Sequence, residues 1–127
     1  MDTNKKIEWI LRVAVAGEFF GHAMFALQGK AQWAGWLIKL FGVGNATALT
    51  ILTVIGVADI VVALIMLLRP IRVVLLWAAF WGFATALVRP IVGESFWDFI
   101  ERFANWGAPL ALLLVRGWPK NGREFVQ

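Results

Sequence analysis

The stretch from Ala46 to Leu68, ATALTILTVIGVADIVVALIMLL, decides the fold class of this chain. It contains one charged side chain, Asp59, in 23 residues. A helix of this length rises about 34 Å, and the hydrocarbon core of a bilayer is about 30 Å thick. The stretch therefore predicts a membrane-spanning α-helix, and Gly44-Asn45 immediately before it supplies a helix cap.

Three further apolar segments, on either side of this helix, predict additional membrane spans. Together they leave room only for short loops in a chain of 127 residues, and no strand-like alternation is present. We therefore predict an all-α fold, an integral membrane four-helix bundle that forms a single transmembrane domain over residues 1–127. The predicted spans cover residues 7–27, 46–68, 73–88 and 96–115.

Capping residues and prolines mark the ends of the third and fourth predicted spans. Ser95 and Asp98 form a Ser-x-x-Asp capping pattern at the start of the fourth span. Pro109 lies inside that span and is expected to kink it. The similar segments Arg69-Pro70-Ile71 and Arg89-Pro90-Ile91 lie at the two ends of the third span, where they predict two helix breaks.

A short amphipathic helix is predicted between the first two spans, at residues 31–41. Its apolar side chains recur at helical spacing, whereas Lys30, Gln32 and Lys39 fall elsewhere. This pattern is typical of a helix that lies at the membrane surface. The apolar positions are Trp33, Trp36, Leu37, Leu40 and Phe41.

The composition excludes several classes of protein. With 61% hydrophobic and 16% charged residues, the chain is too apolar for a soluble domain of its size, and membrane lipids are its expected surroundings. The absence of cysteine excludes disulfides, thiolate metal sites and cysteine nucleophiles. No hydrolase or phosphate-loop motif is present, and the net charge of +4 comes without a basic run interleaved with aromatics. We therefore expect neither an autonomous hydrolase nor a nucleic-acid partner.

Lysines and arginines are distributed unequally between the two sides of the predicted bundle. Eight belong to the side that carries both termini and four to the other side. The positive-inside rule then predicts that both termini are cytoplasmic, in a multi-pass protein of an inner or cytoplasmic membrane. Five tryptophans are predicted interface anchors: Trp9 and Trp118 at the inner interface, and Trp33, Trp36 and Trp97 at the outer one.

Five polar side chains inside the predicted spans require an explanation, because a charge in hydrocarbon costs about 2.5–3.5 kcal/mol on insertion scales. By helix rise, Glu18 and Asp59 lie at one level near the midplane, with Asn105 at a similar depth. His22 and Arg102 lie one turn further out. We predict that the five line one pocket, open to the outer face, for a proton, a polar head group or a quinone ring. The alternative is structural, with neutral carboxyl groups hydrogen-bonding between helices.

Two other features of the first span predict contacts. His22 is the only histidine, and three roles are open to it: an axial ligand for a haem or chlorophyll magnesium, a hydrogen-bond partner of a quinone, or a partner of Glu18. No other metal ligand is predicted. Gly17 and Gly21 form a Gly-x-x-x-Gly face that permits close approach of another helix, from this chain or from a partner.

Several short motifs, spread over nearly the whole chain, carry a family resemblance. They are Arg12 at the entry of the first span, Gly21-His22, Gly29-Lys30, the acidic segment Gly56-Val57-Ala58-Asp59, and Phe103-Ala104-Asn105-Trp106 followed by Pro109–Leu114. With these motifs the chain resembles the DoxX-like membrane proteins, small four-helix proteins named after a subunit of an archaeal thiosulfate:quinone oxidoreductase. The resemblance implies a membrane partner of redox enzymes, with a role near the quinone pool.

The leading functional hypothesis is an accessory subunit of a larger electron-transfer or energy-converting membrane complex. Such a subunit contributes helix contacts and a quinone or lipid pocket, and it needs no redox centre or intrinsic cofactor of its own. The first alternative is a small proton-linked transporter in which Glu18, Asp59 and His22 form the relay. The second alternative is a pigment or haem-binding subunit that uses His22.

Overall fold

The computed structural model describes all residues, Met1–Gln127, and is all-helical, as predicted. Three of its helices, α1, α3 and α4, are long and apolar enough to cross a membrane. The helices are α1 (Thr3–Leu27), α2 (Ala31–Phe41), α3 (Asn45–Leu68), α4 (Arg72–Ile91), α5 (Phe96–Ile100), α6 (Ala104–Arg116) and α7 (Gly122–Phe125).

Most predicted helix boundaries agree with the structure, and local capping explains them. The short helix α2 covers the predicted residues 31–41 and ends at Gly42, whose φ of 67° is left-handed. Helix α3 begins at Asn45, next to its N-cap residue Gly44. The hydroxyl oxygen of Ser95 caps α5 by accepting a hydrogen bond from the Trp97 backbone N–H at 3.2 Å.

The prediction of one continuous fourth helix over residues 96–115 is wrong. The backbone N–H groups of Arg102 and Phe103 bond to carbonyls three residues earlier, each at 3.2 Å, and this tighter winding separates α5 from α6. Helix α6 has 13 residues and is about 20 Å long, which is less than the thickness of a hydrocarbon core. The interruption lies upstream of Pro109, and α6 continues through that proline.

The two Arg-Pro-Ile segments have different structures, although their sequences predict similar breaks. Residues 69–71 do separate α3 from α4. Residues 89–91 instead form the last turn of α4, so the predicted break there is wrong. Pro90 cannot donate a backbone hydrogen bond and its ring crowds the carbonyl four residues earlier, but only one helical residue, Ile91, follows it. Arg89 is therefore held on a helix rather than in a loop.

Four helices pack around one core. Its completely or almost completely buried side chains include Phe19 of α1, Met66 of α3, Leu75 of α4 and Leu112 of α6. The outward face of α3 is also apolar, and its side chains at helical spacing are 50–79% exposed. These outward residues are Val54, Val57, Val61, Leu64 and Leu68. An apolar exposed stripe of this length is typical of a helix in contact with lipid.

Close helix packing occurs at glycines other than the predicted pair. A Cβ atom at Gly82 would lie 2.7 Å from the Asn105 carbonyl carbon, so α4 and α6 approach through their backbones there. A Cβ atom at Gly56 would lie 2.7 Å from Leu27 Cγ of α1. By contrast, Gly17 and Gly21 have no neighbour within 4 Å of such an atom. No helix of this chain packs on the predicted Gly-x-x-x-Gly face.

Arginines connect the helix ends at the side of the bundle that carries both termini. The Arg12 guanidinium donates to the Met66 carbonyl at 2.9 Å and also to the Leu67 carbonyl, which closes the end of α3. The Arg116 guanidinium at the end of α6 contacts the Glu8 carboxylate at 3.1 Å. The beginning of α1 and the end of α6 therefore lie together.

Candidate ligand pocket

A partly open pocket of about 200 Å³ lies under α2, and it brings together four of the five predicted site residues. His22 comes from α1, Asp59 from α3, Arg102 from the turn between α5 and α6, and Asn105 from α6. Most of the remaining wall is hydrophobic. Convergence of polar side chains from four segments within an apolar wall is typical of a small-molecule site.

Glu18, the fifth predicted residue, lies just outside the pocket wall. It is close enough to Asp59 for the two carboxyl groups to interact electrostatically. Its Oε1 atom is buried without a hydrogen-bond partner, and Asp59, which is 3% exposed, makes no side-chain hydrogen bond either. The two carboxyl groups accept no hydrogen bond from other protein groups, so a connection between α1 and α3 at this level would be a proton shared by the pair.

The apolar face of α2 forms one wall of the pocket. All five of the side chains predicted to face the membrane surface contact the cavity instead. The rings of Trp33 and Trp36 stack with centroids 6.1 Å apart, and Trp33 meets the His22 ring edge-on at 5.6 Å. Trp33 and Trp36 thus line the pocket, and their role as anchors at the outer interface stays a prediction.

Polar contacts with the end of α4 hold α2 in this position. The indole N–H of Trp36 donates to Glu94 Oε2 at 2.6 Å, and the Gln32 amide donates to the same carboxylate at 3.2 Å. The Lys39 ammonium donates to the Val92 carbonyl. The sequence pattern could not reveal these contacts, because they join residues more than 50 positions apart.

Arg89 is the pocket residue that sequence reasoning missed. Its side chain lies in the wall, is only 8% exposed, and places its guanidinium 4.6 Å from the centre of the Trp36 ring. Arg89 was missed because the sequence predicted a helix break at residues 89–91, which would place Arg89 in a loop. A detectable signal was present, since Trp81, Thr85 and Arg89 recur every four residues and share one face of α4.

Arg102, unlike Arg89, has protein partners. Its Nη1 atom donates to the Glu101 carboxylate at 2.6 Å and to the Asp98 carbonyl at 2.8 Å. Thr85 also lines the pocket, but its hydroxyl donates to the Trp81 carbonyl at 2.8 Å within α4. Arg89 is therefore the arginine of the pocket wall whose guanidinium has no hydrogen-bond or ion-pair partner in the protein.

The other predicted site features lie away from the pocket. Trp9, Trp97 and Trp118 are 38%, 72% and 54% exposed, which suits side chains at a membrane interface. No group of three or more histidine, aspartate or glutamate side chains is arranged to hold a metal ion. His22 thus does not belong to a protein site with three or more such metal ligands.

The arrangement favours binding over catalysis. The pocket combines an apolar aromatic wall with one uncommitted guanidinium, one imidazole and one carboxyl group, and it contains no hydroxyl or thiol nucleophile next to a base. Such a site can recognise a polar group attached to an apolar body.

Comparison with protein-family models, curated proteins and solved structures finds no match to this chain. The pocket and the surface are therefore the features that bear on its function.

Proposed function

We propose that this chain is an accessory subunit of an electron-transfer or energy-converting membrane complex, in which it holds the polar end of a quinone or lipid. The observation that carries the proposal is the pocket under α2, where His22, Asp59, Arg89, Arg102 and Asn105 meet an aromatic wall. Polar side chains are costly within a membrane protein and mark ligand or ion sites. The DoxX-like resemblance supports the same role near the quinone pool.

The size of the pocket favours an amphiphile that is bound by one end. Sites that enclose most of a drug-sized ligand have volumes of about 300–1,000 Å³. The volume here, about 200 Å³, suits a head group or a single ring, and the partial opening leaves a path for an attached chain. A tetrapyrrole bound through His22 would need more space.

A variant that fills the pocket tests this proposal. Ala84→Phe adds a ring at the wall, whereas Val57→Phe adds the same ring on the outward face of α3, where the valine is 54% exposed. Each protein would be purified in mild detergent, and the copurifying amphiphiles would be extracted and measured by mass spectrometry. We expect Ala84→Phe to lose the bound quinone or lipid and Val57→Phe to keep it. Equal retention by both variants would rule out the pocket as the binding site.

The proposed fold is a four-helix bundle in which α5 and α6 together make the fourth crossing, with both termini in the cytoplasm. Residues 96–116 number 21, enough for about 30 Å if the turn between α5 and α6 continues the path. The contact between Glu8 and Arg116 supports this arrangement, because it requires the beginning of α1 and the end of α6 to lie on one side.

Labelling of introduced cysteines tests this topology, because the natural chain contains none. Thr3→Cys and Ser95→Cys are conservative changes at exposed positions near opposite ends of the proposed bundle. In intact cells, an impermeant maleimide is expected to label Ser95→Cys and to miss Thr3→Cys until the membrane is opened. Labelling of both cysteines from the same side would refute the three crossings by α1, α3 and α4. A third variant, Gln127→Cys, is exposed and follows α6, so its labelling in intact cells would refute the fourth crossing.

The accessory role is tested by what copurifies with the chain from its native membrane. An exterior in which α3 exposes an apolar stripe can contact either lipid or other membrane subunits. We expect stoichiometric redox or energy-converting subunits in mild detergent. Recovery of the chain alone, or as a homo-oligomer, would contradict the accessory role.

A small proton-linked transporter is the second candidate, and the Glu18–Asp59 pair favours it. A buried carboxyl group, Asp59, that acts electrostatically on the half-buried Glu18 is suited to accepting and releasing protons. Under this alternative, Glu18→Gln and Asp59→Asn would assemble normally and abolish proton uptake into proteoliposomes, measured with a pH-sensitive dye. Normal uptake by both variants would exclude it.

A further inference from the structure

Arg89 is a buried cation without a direct ion-pair partner in the protein. Only 8% of the residue is exposed, no carboxylate oxygen lies within 4 Å of its guanidinium, and its Nε atom has no hydrogen-bond acceptor. The other arginines with restricted exposure all have oxygen partners; they are Arg12, Arg72, Arg102 and Arg116. Because an unpaired buried charge is costly, Arg89 requires an anionic partner from outside the chain.

Two of the three acidic residues that act on Arg89 from a distance, Glu94 and Glu101, are engaged by other groups. The Glu94 carboxylate accepts hydrogen bonds from Trp36 and Gln32, and the Glu101 carboxylate is paired with Arg102 at 2.6 Å. The Trp36 ring lies against the Arg89 guanidinium, with 4.6 Å between their centres. Such a contact stabilises the charge but accepts no hydrogen bond from the guanidinium. The guanidinium N–H groups can therefore still donate hydrogen bonds to oxygen atoms.

A second unsatisfied donor lies in the same wall. The indole Nε1 of Trp33 is buried without an acceptor, and Trp33 and Arg89 both line the pocket. Two donors that lack acceptors predict a ligand with several acceptor oxygens. The Arg102 guanidinium in the same wall is paired with Glu101, so Arg89 is the wall's arginine without a direct partner. A guanidinium without a direct partner favours an anion over a neutral carbonyl compound.

We infer that Arg89 binds the phosphate of an acidic phospholipid whose head group occupies the pocket and whose acyl chains leave through its opening. A phosphate supplies both the negative charge and the acceptor oxygens that Arg89 and Trp33 lack, and the planar guanidinium matches its geometry. The inference rests on the proposed function, because it names the chemical class of the amphiphile in that pocket. A quinone carries no charge and would leave Arg89 uncompensated.

Lipid binding by native mass spectrometry tests this assignment. Delipidated protein would be titrated with phosphatidylglycerol and with diacylglycerol of the same acyl chains, which lacks the phosphate. We expect the wild type to bind phosphatidylglycerol at least about tenfold more tightly, as one charge-assisted contact of this kind provides. Arg89→Gln is expected to lose this preference, while Arg89→Lys, which keeps the charge, retains part of it.

Arg69→Gln is the matched control, because Arg69 is exposed and makes no side-chain hydrogen bond, so its removal changes the net charge equally. Wild-type preference in Arg89→Gln would overturn the inference. Circular dichroism tests whether Arg89→Gln is folded. If Arg89→Gln does not fold, the partial preference of Arg89→Lys for phosphatidylglycerol provides a second measurement. Displacement of phosphatidylglycerol by millimolar inorganic phosphate, in the wild type but not in Arg89→Gln, would identify a free-anion site and overturn the lipid assignment.

The Ala84→Phe variant separates failure of this inference from failure of the proposed function. If Ala84→Phe prevents binding of both lipids while Arg89→Gln keeps the phosphatidylglycerol preference, the pocket binds an amphiphile but Arg89 does not recognise its phosphate. If Ala84→Phe binds both lipids as the wild type does, the pocket is not the binding site, and the proposed function fails together with the inference.

Discussion

Replacement of Arg12 by methionine removes the guanidinium that closes the C-terminal end of α3. Arg12 is 7% exposed; its Nε atom donates to the Met66 carbonyl at 2.9 Å, and its Nη2 atom donates to the Leu67 carbonyl. Methionine has a similar unbranched stem, so the packing of the side chain is largely preserved. The two carbonyl groups at the end of α3 lose their charged donor.

The expected loss follows from these two contacts. A hydrogen bond that involves a charged group contributes about 1.5–3 kcal/mol, so loss of both destabilises the folded state by about 3–6 kcal/mol. The Glu8 carboxylate adds little, because it lies 3.9 Å from Arg12 and keeps its closer partner Arg116 at 3.1 Å. Arg12→Lys supplies one compact ammonium in place of the planar fork, and we expect about half of the loss.

Unfolding in mixed micelles of dodecyl maltoside and sodium dodecyl sulfate, followed by tryptophan fluorescence, measures this effect. Arg69→Met is the control, because it removes an exposed arginine whose side chain makes no hydrogen bond. The expected order of stability is wild type and Arg69→Met together, then Arg12→Lys, then Arg12→Met. If the free energies of unfolding of Arg12→Met and Arg69→Met agreed within about 1 kcal/mol, the carbonyls at the end of α3 would have other partners. That result would refute a stabilising role for the Arg12 contacts.

Two further predictions concern the packing of α4 and the attachment of α2, and the same unfolding assay measures both. Gly82→Ala is expected to destabilise the protein by about 1–3 kcal/mol, because its Cβ atom would meet the Asn105 backbone, whereas Gly107→Ala, with open space around it, should be neutral or slightly stabilising. Equal effects of the two alanines would contradict close contact between α4 and α6. Trp36→Phe removes the 2.6 Å bond to Glu94 and should cost about 1.5–3 kcal/mol, whereas Trp97→Phe, at a 72% exposed position, should cost less than about 0.5 kcal/mol. Similar losses from both tryptophan changes would exclude a stabilising role for the Glu94 contact.

The predicted polar residues show how depth along a helix can locate a site. Glu18, Asp59 and Asn105 lie at similar depths because helix rise converts residue number into distance. Their helices pack together, and the pocket contains two of the three, with Glu18 adjacent to Asp59. Depth alone, however, does not determine the rotation of each helix about its axis. For this reason the helix rise predicted Glu18 and Asp59 at one level but did not reveal that Glu18 lies outside the pocket wall.

The amphipathic face of α2 shows a case in which the sequence predicted the local pattern but not the pocket that this face lines. The spacing of Trp33, Trp36 and Leu37 predicted an apolar face, and these side chains do form one. An apolar face can contact either lipid or protein, and the choice depends on partners elsewhere in the chain. Here the Glu94 carboxylate holds Trp36, so the face covers the pocket.

By itself, the sequence determined the all-α class, the helices of membrane-spanning length and most helix ends, because apolar run length and capping residues act locally. Only the tertiary structure decided that α4 continues through Pro90, that Gly82 rather than Gly17 lies at a helix contact, and that Arg89 enters the pocket. These outcomes depend on helix rotation and on contacts between distant residues. In a bundle surrounded by lipid, similar apolar faces can pack in many ways, so the sites of close approach and buried polar contact select one arrangement.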